Sequence, residues 1–421
     1  MRAITALALF VSLAQTCFAE ADWSSCNRTG SKAFHEQKWT EAYAAFEAGW
    51  PLARTPVEQA ITSNNLGASL NALERIPEAL LWFERSIALW RTLPGHSEEV
   101  AETALGLTDV YRSVGRFTEA EQIIRSLLQS DLLDEHKAAL LNTLGDMLGE
   151  QSRTPEALKV FQSALALPGI SGKRQIEANL GLADIDRRAG NRAGALEKAA
   201  RVITLTRQLG TVQLGPVPFE ALALRLQGLV WFDAGDLARA EPILRRSLSM
   251  FQQQVPNPPR QIAAAFNCLA ELYRDQGKYS LAEEAWLHAL EIERRSSGEN
   301  HPHTAVLMES LAGLYSLEKR HTEAAELASR AWTIMSKTFG DDSVPAAGAL
   351  ATIALVAQGE KRYDAASASY ARALEIMHAK GSPNDQNILS VMDRYAAVLA
   401  SLHRTSEAKQ VRQQIKTFRL R

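Results

Sequence analysis

LAELYRDQGKYSLAEEAWLHAL, residues 269–290, decides how this chain is read. The same pattern returns as LAGLYSLEKRHTEAAELASRAW at 311–332, LGASLNALERIPEALLWFERSI at 66–87 and LGDMLGEQSRTPEALKVFQSAL at 144–165. Each stretch opens with a large apolar residue, then Gly or Ala, then a large apolar residue three further on. A turn follows, then an Ala, a bulky residue four later and usually a small one seven later. Spacings of three and four place these residues on one face of a helix, so each stretch predicts two amphipathic helices joined by a turn.

Aligning on the Ala of the second helix gives ten units, marked by Ala42, Ala79, Ala120, Ala157, Ala195, Ala240, Ala282, Ala324, Ala366 and Ala408. The steps between them are 37, 41, 37, 38, 45, 42, 42, 42 and 42 residues. A fixed period of this size is the mark of a repeat architecture. Small residues recur twelve positions before the marker, as Gly30, Gly67, Gly145, Ala183, Gly228, Ala270, Ala312, Ala354 and Ala396. Two antiparallel helices approach closely only where side chains are short. Around these contacts stand Leu66, Leu70, Phe83, Leu144, Leu148, Phe161, Leu269, Tyr273, Trp286, Leu311 and Tyr315, the predicted core.

The turns are punctuated as well. Gly115, Gly190, Gly235 and Gly277 share one register, suited to ending a helix in the left-handed conformation. Three residues later come Thr40, Pro77, Thr118, Pro155, Ser280, Thr322, Asp364 and Ser406, read as capping oxygens or first-turn prolines. Glu41, Glu78, Glu119, Glu156, Glu323 and Glu407 follow, where an acid favours the positive end of the helix dipole. One helix pair cannot bury its own apolar face, but stacked pairs can. The predicted fold is therefore all-α, a right-handed α-solenoid of about ten stacked antiparallel helix pairs over residues 20–418. Arg412 stands where earlier units have Phe83, Phe161 or Trp286, so 388–418 is expected to be a terminal capping repeat.

This alternation resembles the tetratricopeptide repeat over roughly residues 26–418. The second half resembles the 42-residue variety found in kinesin light chains, on Phe266-Asn267-Cys268-Leu269-Ala270-Glu271-Leu272-Tyr273 and on Gly298-Glu299-Asn300-His301-Pro302-His303. The first half departs from it in spacing, and the fifth unit most, with Asp186 and Ala199 where bulky apolar residues belong.

The resemblance implies that first helices line a concave face along which an extended peptide lies. By register, the groove-facing residues are Asn64, Asn65 and Asn71, then Asp109 and Arg112, then Asn142 and Asp146. Asp184, Arg187, Arg188, Arg225 and Asp233 come next, then Asn267, Glu271, Arg274, Asp275 and Glu309. An asparagine amide both donates to and accepts from a peptide backbone, and the charged residues suit the fixing of side chains. The family's carboxylate clamp needs Lys or Arg with Asn at fixed positions of neighbouring repeats. No consecutive pair shows it, so a C-terminal acid is not the expected ligand.

The first nineteen residues differ from the rest. Arg2 is the only charge before Glu20, Ala3 to Ala14 is apolar apart from Thr5 and Ser12, and small residues Cys17 and Ala19 precede a cleavage point. This reads as a secretory signal peptide, residues 1–19, too short to span a bilayer. Ala14-Gln15-Thr16 before Cys17 resembles a lipobox poorly. The chain is thus expected to be exported, periplasmic or secreted, with no integral membrane segment. Cys26 and Cys268 then remain, as buried residues too far apart for a bridge.

Acids outnumber bases 48 to 46 among 421 residues, which argues against nucleic acid, whose binding needs a basic excess. No GxxxxGK[ST], GxSxG or HExxH is present, and the cysteines lack zinc spacing. His301, His303 and His321 are the one histidine cluster, without the further ligands a metal needs. The expected function is that of a non-catalytic scaffold, without cofactor or metal, binding a protein or peptide along the groove. The alternative is a sensor array acting with a separate signalling partner.

Overall fold

Twenty α-helices, and no strand among the described residues, follow one another in a computed structural model. It describes residues 22–36, 38–73, 75–214, 218–254, 258–380 and 386–419. The segment expected to be a signal peptide, residues 1–19, lies outside them. The helices run as α1 (Trp23–His35) with α2 (Trp39–Gly49), α3 (Pro56–Ala72) with α4 (Ile76–Arg91), and α5 (Ser97–Ser113) with α6 (Phe117–Leu127). Next come α7 (Asp134–Glu150) with α8 (Thr154–Ala166), α9 (Gly172–Arg188) with α10 (Arg192–Leu214), and α11 (Phe219–Asp233) with α12 (Leu237–Gln253). The last are α13 (Pro259–Asp275) with α14 (Tyr279–Ser296), α15 (Pro302–Leu317) with α16 (His321–Phe339), α17 (Val344–Gly359) with α18 (Tyr363–Lys380), and α19 (Gln386–Ser401) with α20 (Thr405–Arg419). Ten units were legible in the sequence and ten pairs are found.

The packing follows the spacing. All ten marker alanines are buried, at 2% exposure or less. The glycines twelve residues before them are small for a measurable reason. A Cβ on Gly30 would come within 2.5 Å of Phe46, on Gly67 within 2.9 Å of Phe83, on Gly145 within 2.6 Å of Phe161 and on Gly228 within 2.5 Å of Leu244. The first helix of each of these pairs thus lies against the bulky residue four places after the marker. Ser86 and Ser247, seven after the marker, add equivalent buried bonds, donating to the carbonyls of Ala60 (2.8 Å) and Ala221 (2.7 Å).

The turn has one geometry in the eight pairs whose left-handed residue is described. Five residues before the marker, Gly115, Gly190, Gly235 and Gly277 have φ of 74°, 75°, 74° and 73°. Ser152, Lys319, Lys361 and His403 hold the same register with φ of 56°, 63°, 61° and 60°, and are the non-glycine residues with positive φ among those described. The next N–H donates back across the turn to the end of the first helix, as from Arg116 to Tyr111, Lys278 to Tyr273 and Arg404 to Leu399, at 2.8–2.9 Å. This closes the last carbonyls of the helix.

One expectation is corrected here. The second helices begin at Trp39, Phe117, Tyr279 and His321, so Thr40, Thr118, Ser280 and Thr322 lie inside the first turn and do not cap it. The cap positions are Lys38, Arg116, Lys278 and Arg320, with no side-chain cap bond. In their place an arginine reaches forward to the first-turn acid. Arg75–Glu78, Arg153–Glu156 and Arg404–Glu407 close at 2.6 Å, Arg320–Glu323 at 2.7 Å and Arg116–Glu119 at 2.8 Å. The acids were legible as helix-dipole residues. Their partners were not, because the arginine precedes the helix.

Two compact units divide the chain, residues 1–140 and 141–421. In the first, Phe46 and Leu66 pack with Tyr43, Trp50 and Trp82, and Arg85 lies 4.3 Å over the Trp50 ring. In the second, one apolar cluster runs from Ala221 through Trp286, Leu311 and Tyr315 to Val356. A further cluster joins Tyr370, Met392 and Ile415. Arg412 is exposed on α20, as its charge requires. Cys26 and Cys268 are both buried.

The irregular fifth unit has a local account. Asp186 accepts from Lys198 Nζ at 2.6 Å and from Asn191 Nδ2 at 2.9 Å, so a polar contact replaces an apolar one at that tip. Ala199 is fully buried. Gly210, at φ 66° and ψ 175°, breaks α10, and the longest step of 45 residues falls there.

Candidate functional site

Among the first helices, α1 touches α3 and α3 touches α5 in the first unit, and α9 touches α11, α11 touches α13, α15 touches α17 and α17 touches α19 in the second. Side chains at equal register on these helices therefore share a layer. The residues expected to line a groove all lie on first helices.

In the first unit, Asn64, Asn65 and Asn71 are half-buried on α3. Asn65 Nδ2 donates to Asn27 Oδ1 of α1 at 2.9 Å. Both asparagines stand at the same register within one residue, so this bond links the two first helices side chain to side chain. Asp109 is exposed on α5 and pairs with Arg112 at 3.2 Å.

In the second unit, Asn142 is buried. Its Nδ2 donates to the Arg174 carbonyl at 3.1 Å, and its Oδ1 has no acceptor bond filled. Asp146 is exposed one turn on. Asp184 then receives Arg187 at 2.8 Å and Arg188 at 2.7 Å, and Arg187 reaches Asp233 of α11 at 2.5 Å. Burial works against the Arg187 charge, but Asp184 and Asp233 outweigh it and hold it firmly protonated. These residues form a knot joining α9 to α11.

The following helices are less tied. Arg225 of α11 lies against the Cys268 thiol of α13, and its buried Nε has no acceptor. Asn267 donates to Glu271 at 3.1 Å, and its Oδ1 accepts from the Trp286 indole at 2.7 Å. The indole nitrogen is only a donor, so this bond fixes which way the amide faces. Burial pushes the Glu271 carboxyl up, against the pull of Arg274. Arg274 closes on Asp275 at 2.9 Å. Glu309 of α15 meets only the Thr352 hydroxyl of α17, at 3.4 Å, and burial pushes its carboxyl up to about 8. The sequence-predicted residues of α9 to α13 are thus brought together, while Glu309 stands apart from any charge.

No group of three or more His, Cys, Asp or Glu among the described residues is placed to hold a metal ion. His301 serves as the α15 cap, its Nδ1 accepting from the His303 N–H at 3.1 Å. No described helix is long and apolar enough to cross a membrane.

Tetratricopeptide repeat profiles match residues 58–131, 180–256 and 261–337, more than half of the chain. The chain belongs to the tetratricopeptide repeat family. The matches include the fifth unit, whose helices keep the repeat geometry despite its sequence. No curated protein is similar enough to match.

Among solved structures, a Rap protein complexed with Competence and Sporulation Factor aligns at 12% identity. It covers 86% of this chain and 98% of its own, with a TM-score of 0.61. BtubC (BKLC) from P. vanneervenii aligns at 19% over 53% of this chain and 89% of its own, with a TM-score of 0.45. Kinesin light chain TPR-like repeats from Podosopora anserina align at 17% over 49% and 96%, with a TM-score of 0.40. At these identities the Rap likeness speaks for the fold alone. Tetratricopeptide repeats are in general scaffolds that bind proteins or peptides, and this chain carries their architecture throughout its matched segments.

Proposed function

We propose that this protein is an exported adaptor that holds a protein or an extended peptide segment on its first-helix layer. The observation that carries the reading is the layer itself, where Arg225, Asn267, Glu271 and Glu309 present charge and amide groups that are only partly used by the fold. Recognition is by surface complementarity over several repeats, with no covalent step. Export rests on the leader-like composition of residues 1–19.

The test is in-cell crosslinking of the tagged full-length chain, with mass spectrometry of what is captured. Wild type is compared with the variant Asn267→Ala, Glu271→Ala, Arg274→Ala. The expected result is one envelope or secreted protein captured by wild type and lost by the variant, from a chain whose N-terminus maps to Glu20. Equal capture by both moves binding off this layer. An intact leader on a cytoplasmic chain ends the export reading and favours a sensor array working with a signalling partner, a reading that also suits a fold seen in the Rap complex.

A further inference from the structure

Three consecutive first helices carry, at one register, a cation, an amide and an acid. Arg225, Asn267 and Glu309 stand 15 residues before Ala240, Ala282 and Ala324, each 42 residues after the one before. The amide is held by Trp286 and Glu271, so it is oriented before any ligand arrives. The two charges at the ends are not used in the same way.

Arg225 has no carboxylate partner among the described residues, and its Nε is buried without an acceptor. A guanidinium is a rigid fork built for carboxylates, so leaving it against a thiol does not satisfy it. Glu309 has no cation partner among the described residues. Its contact with Thr352 is long, and that hydroxyl is shared with the Gly348 carbonyl at 3.3 Å. A contact at 3.4 Å is weak for a carboxyl. It therefore ties α15 to α17 poorly, while burying an unpaired acid costs stability. The nearest atom to a Cβ placed on Gly348 is Glu309 Oε2, at 4.0 Å. Residues that lower stability without a structural return mark places shaped for something else.

We propose that α11, α13 and α15 read a bipolar segment: an extended peptide with an acidic side chain seated at Arg225 and a basic side chain seated at Glu309, its backbone passing Asn267. This deepens the adaptor reading and rests on it. Neighbouring helix axes lie about 10 Å apart and an extended chain advances about 3.4 Å per residue, so the two charges fall roughly six residues apart. A uniformly charged ligand, such as a polyanion, meets the wrong sign at one end. The proton that burial leaves on Glu309 departs when a cation is seated, so the pair forms only on binding.

The probe is a phage-displayed library of random dodecapeptides, selected on the full-length protein and sequenced. Parallel selections use Arg225→Gln, Arg225→Lys, Glu309→Gln and the Asn267→Ala, Glu271→Ala, Arg274→Ala variant, each checked for wild-type circular dichroism. The expected result is enriched peptides sharing an acidic and a basic position about six apart. Glu309→Gln should abolish the basic preference alone and Arg225→Gln the acidic preference alone, each weakening the best peptide about tenfold, the scale of one charge-assisted bond. Arg225→Lys should keep the acidic preference. Peptides that enrich on wild type but not on the triple variant, and show no such charge pair, overturn this inference and leave the adaptor reading standing. A selection in which no peptide enriches over the triple variant overturns both.

Discussion

At the scale of single residues, one position in the turn carries much of the fold's regularity. Gly115, Gly190, Gly235 and Gly277 take a left-handed conformation there without cost, while Ser152, Lys319, Lys361 and His403 take it against the crowding of a Cβ. Replacing Lys319 or Lys361 with Gly should stabilise the chain by about 0.5–1 kcal/mol each, measured as the urea midpoint. A lowered midpoint at both sites would show that the lysine side chains contribute more than the strain costs. The glycines were legible in sequence as helix ends. The other four were not, because nothing in Ser, Lys or His announces a positive φ.

Glu309 supplies a second residue-scale prediction. Its folded pKa of about 8 lies above an unfolded value near 4.5, so the folded state keeps a proton that the unfolded chain releases. Such a group favours folding fully below the unfolded value and loses that contribution as pH rises through the folded one. Glu309→Gln should therefore match wild type near pH 4 and exceed it by about 4 kcal/mol near pH 8. Urea unfolding at the two pH values decides it. A variant weaker than wild type at both means that the carboxyl is doing structural work with Thr352.

At the scale of elements, the pairing of helices is set by small residues facing large ones, and glycines of similar appearance behave oppositely. Phe161 is held between Gly145 and Gly181, whose added Cβ atoms would come within 2.6 and 2.1 Å of its ring. The ring is buried and has no free side to move to. Gly145→Ala should destabilise by about 1–3 kcal/mol despite the better helix propensity of Ala. Gly313→Ala on α15 meets only Leu355, at 3.8 Å, an ordinary contact. It should stabilise by about 0.5–1 kcal/mol. Thermal melts of the two variants should move in opposite directions, and movement in the same direction sinks the packing argument. The repeat was legible because these contacts recur at fixed spacing. The helix starts were misread by two residues, because backbone bonds across the turn and an arginine before it replace the hydroxyl caps that sequence rules expect. That Asn142, Arg187 and Arg225 lie on first helices was legible from register alone. What each does there was not, since Asn142 turns to a backbone carbonyl and Arg187 to Asp233 of another helix.

At the scale of the whole molecule, cooperativity is limited by architecture. Repeats contact chiefly their neighbours, so stability is a sum of local terms and interfaces. Contacts divide between residues 1–140 and 141–421, and the second unit holds the long cluster from Ala221 to Val356. Native-state hydrogen exchange in rising urea should resolve two sets of amides, with those of 22–140 opening first. A single isotherm merging all slow amides is the outcome that excludes two cooperative units.

Trp286 is fully buried, yet its indole N–H is bonded to Asn267 in the first-helix layer. The molecule thus contains its own spectroscopic reporter. Whatever engages the Asn267 amide alters the hydrogen bond of that indole, so occupancy of the layer can be followed through the Trp286 indole proton resonance without any label, once it is assigned among the eight tryptophans.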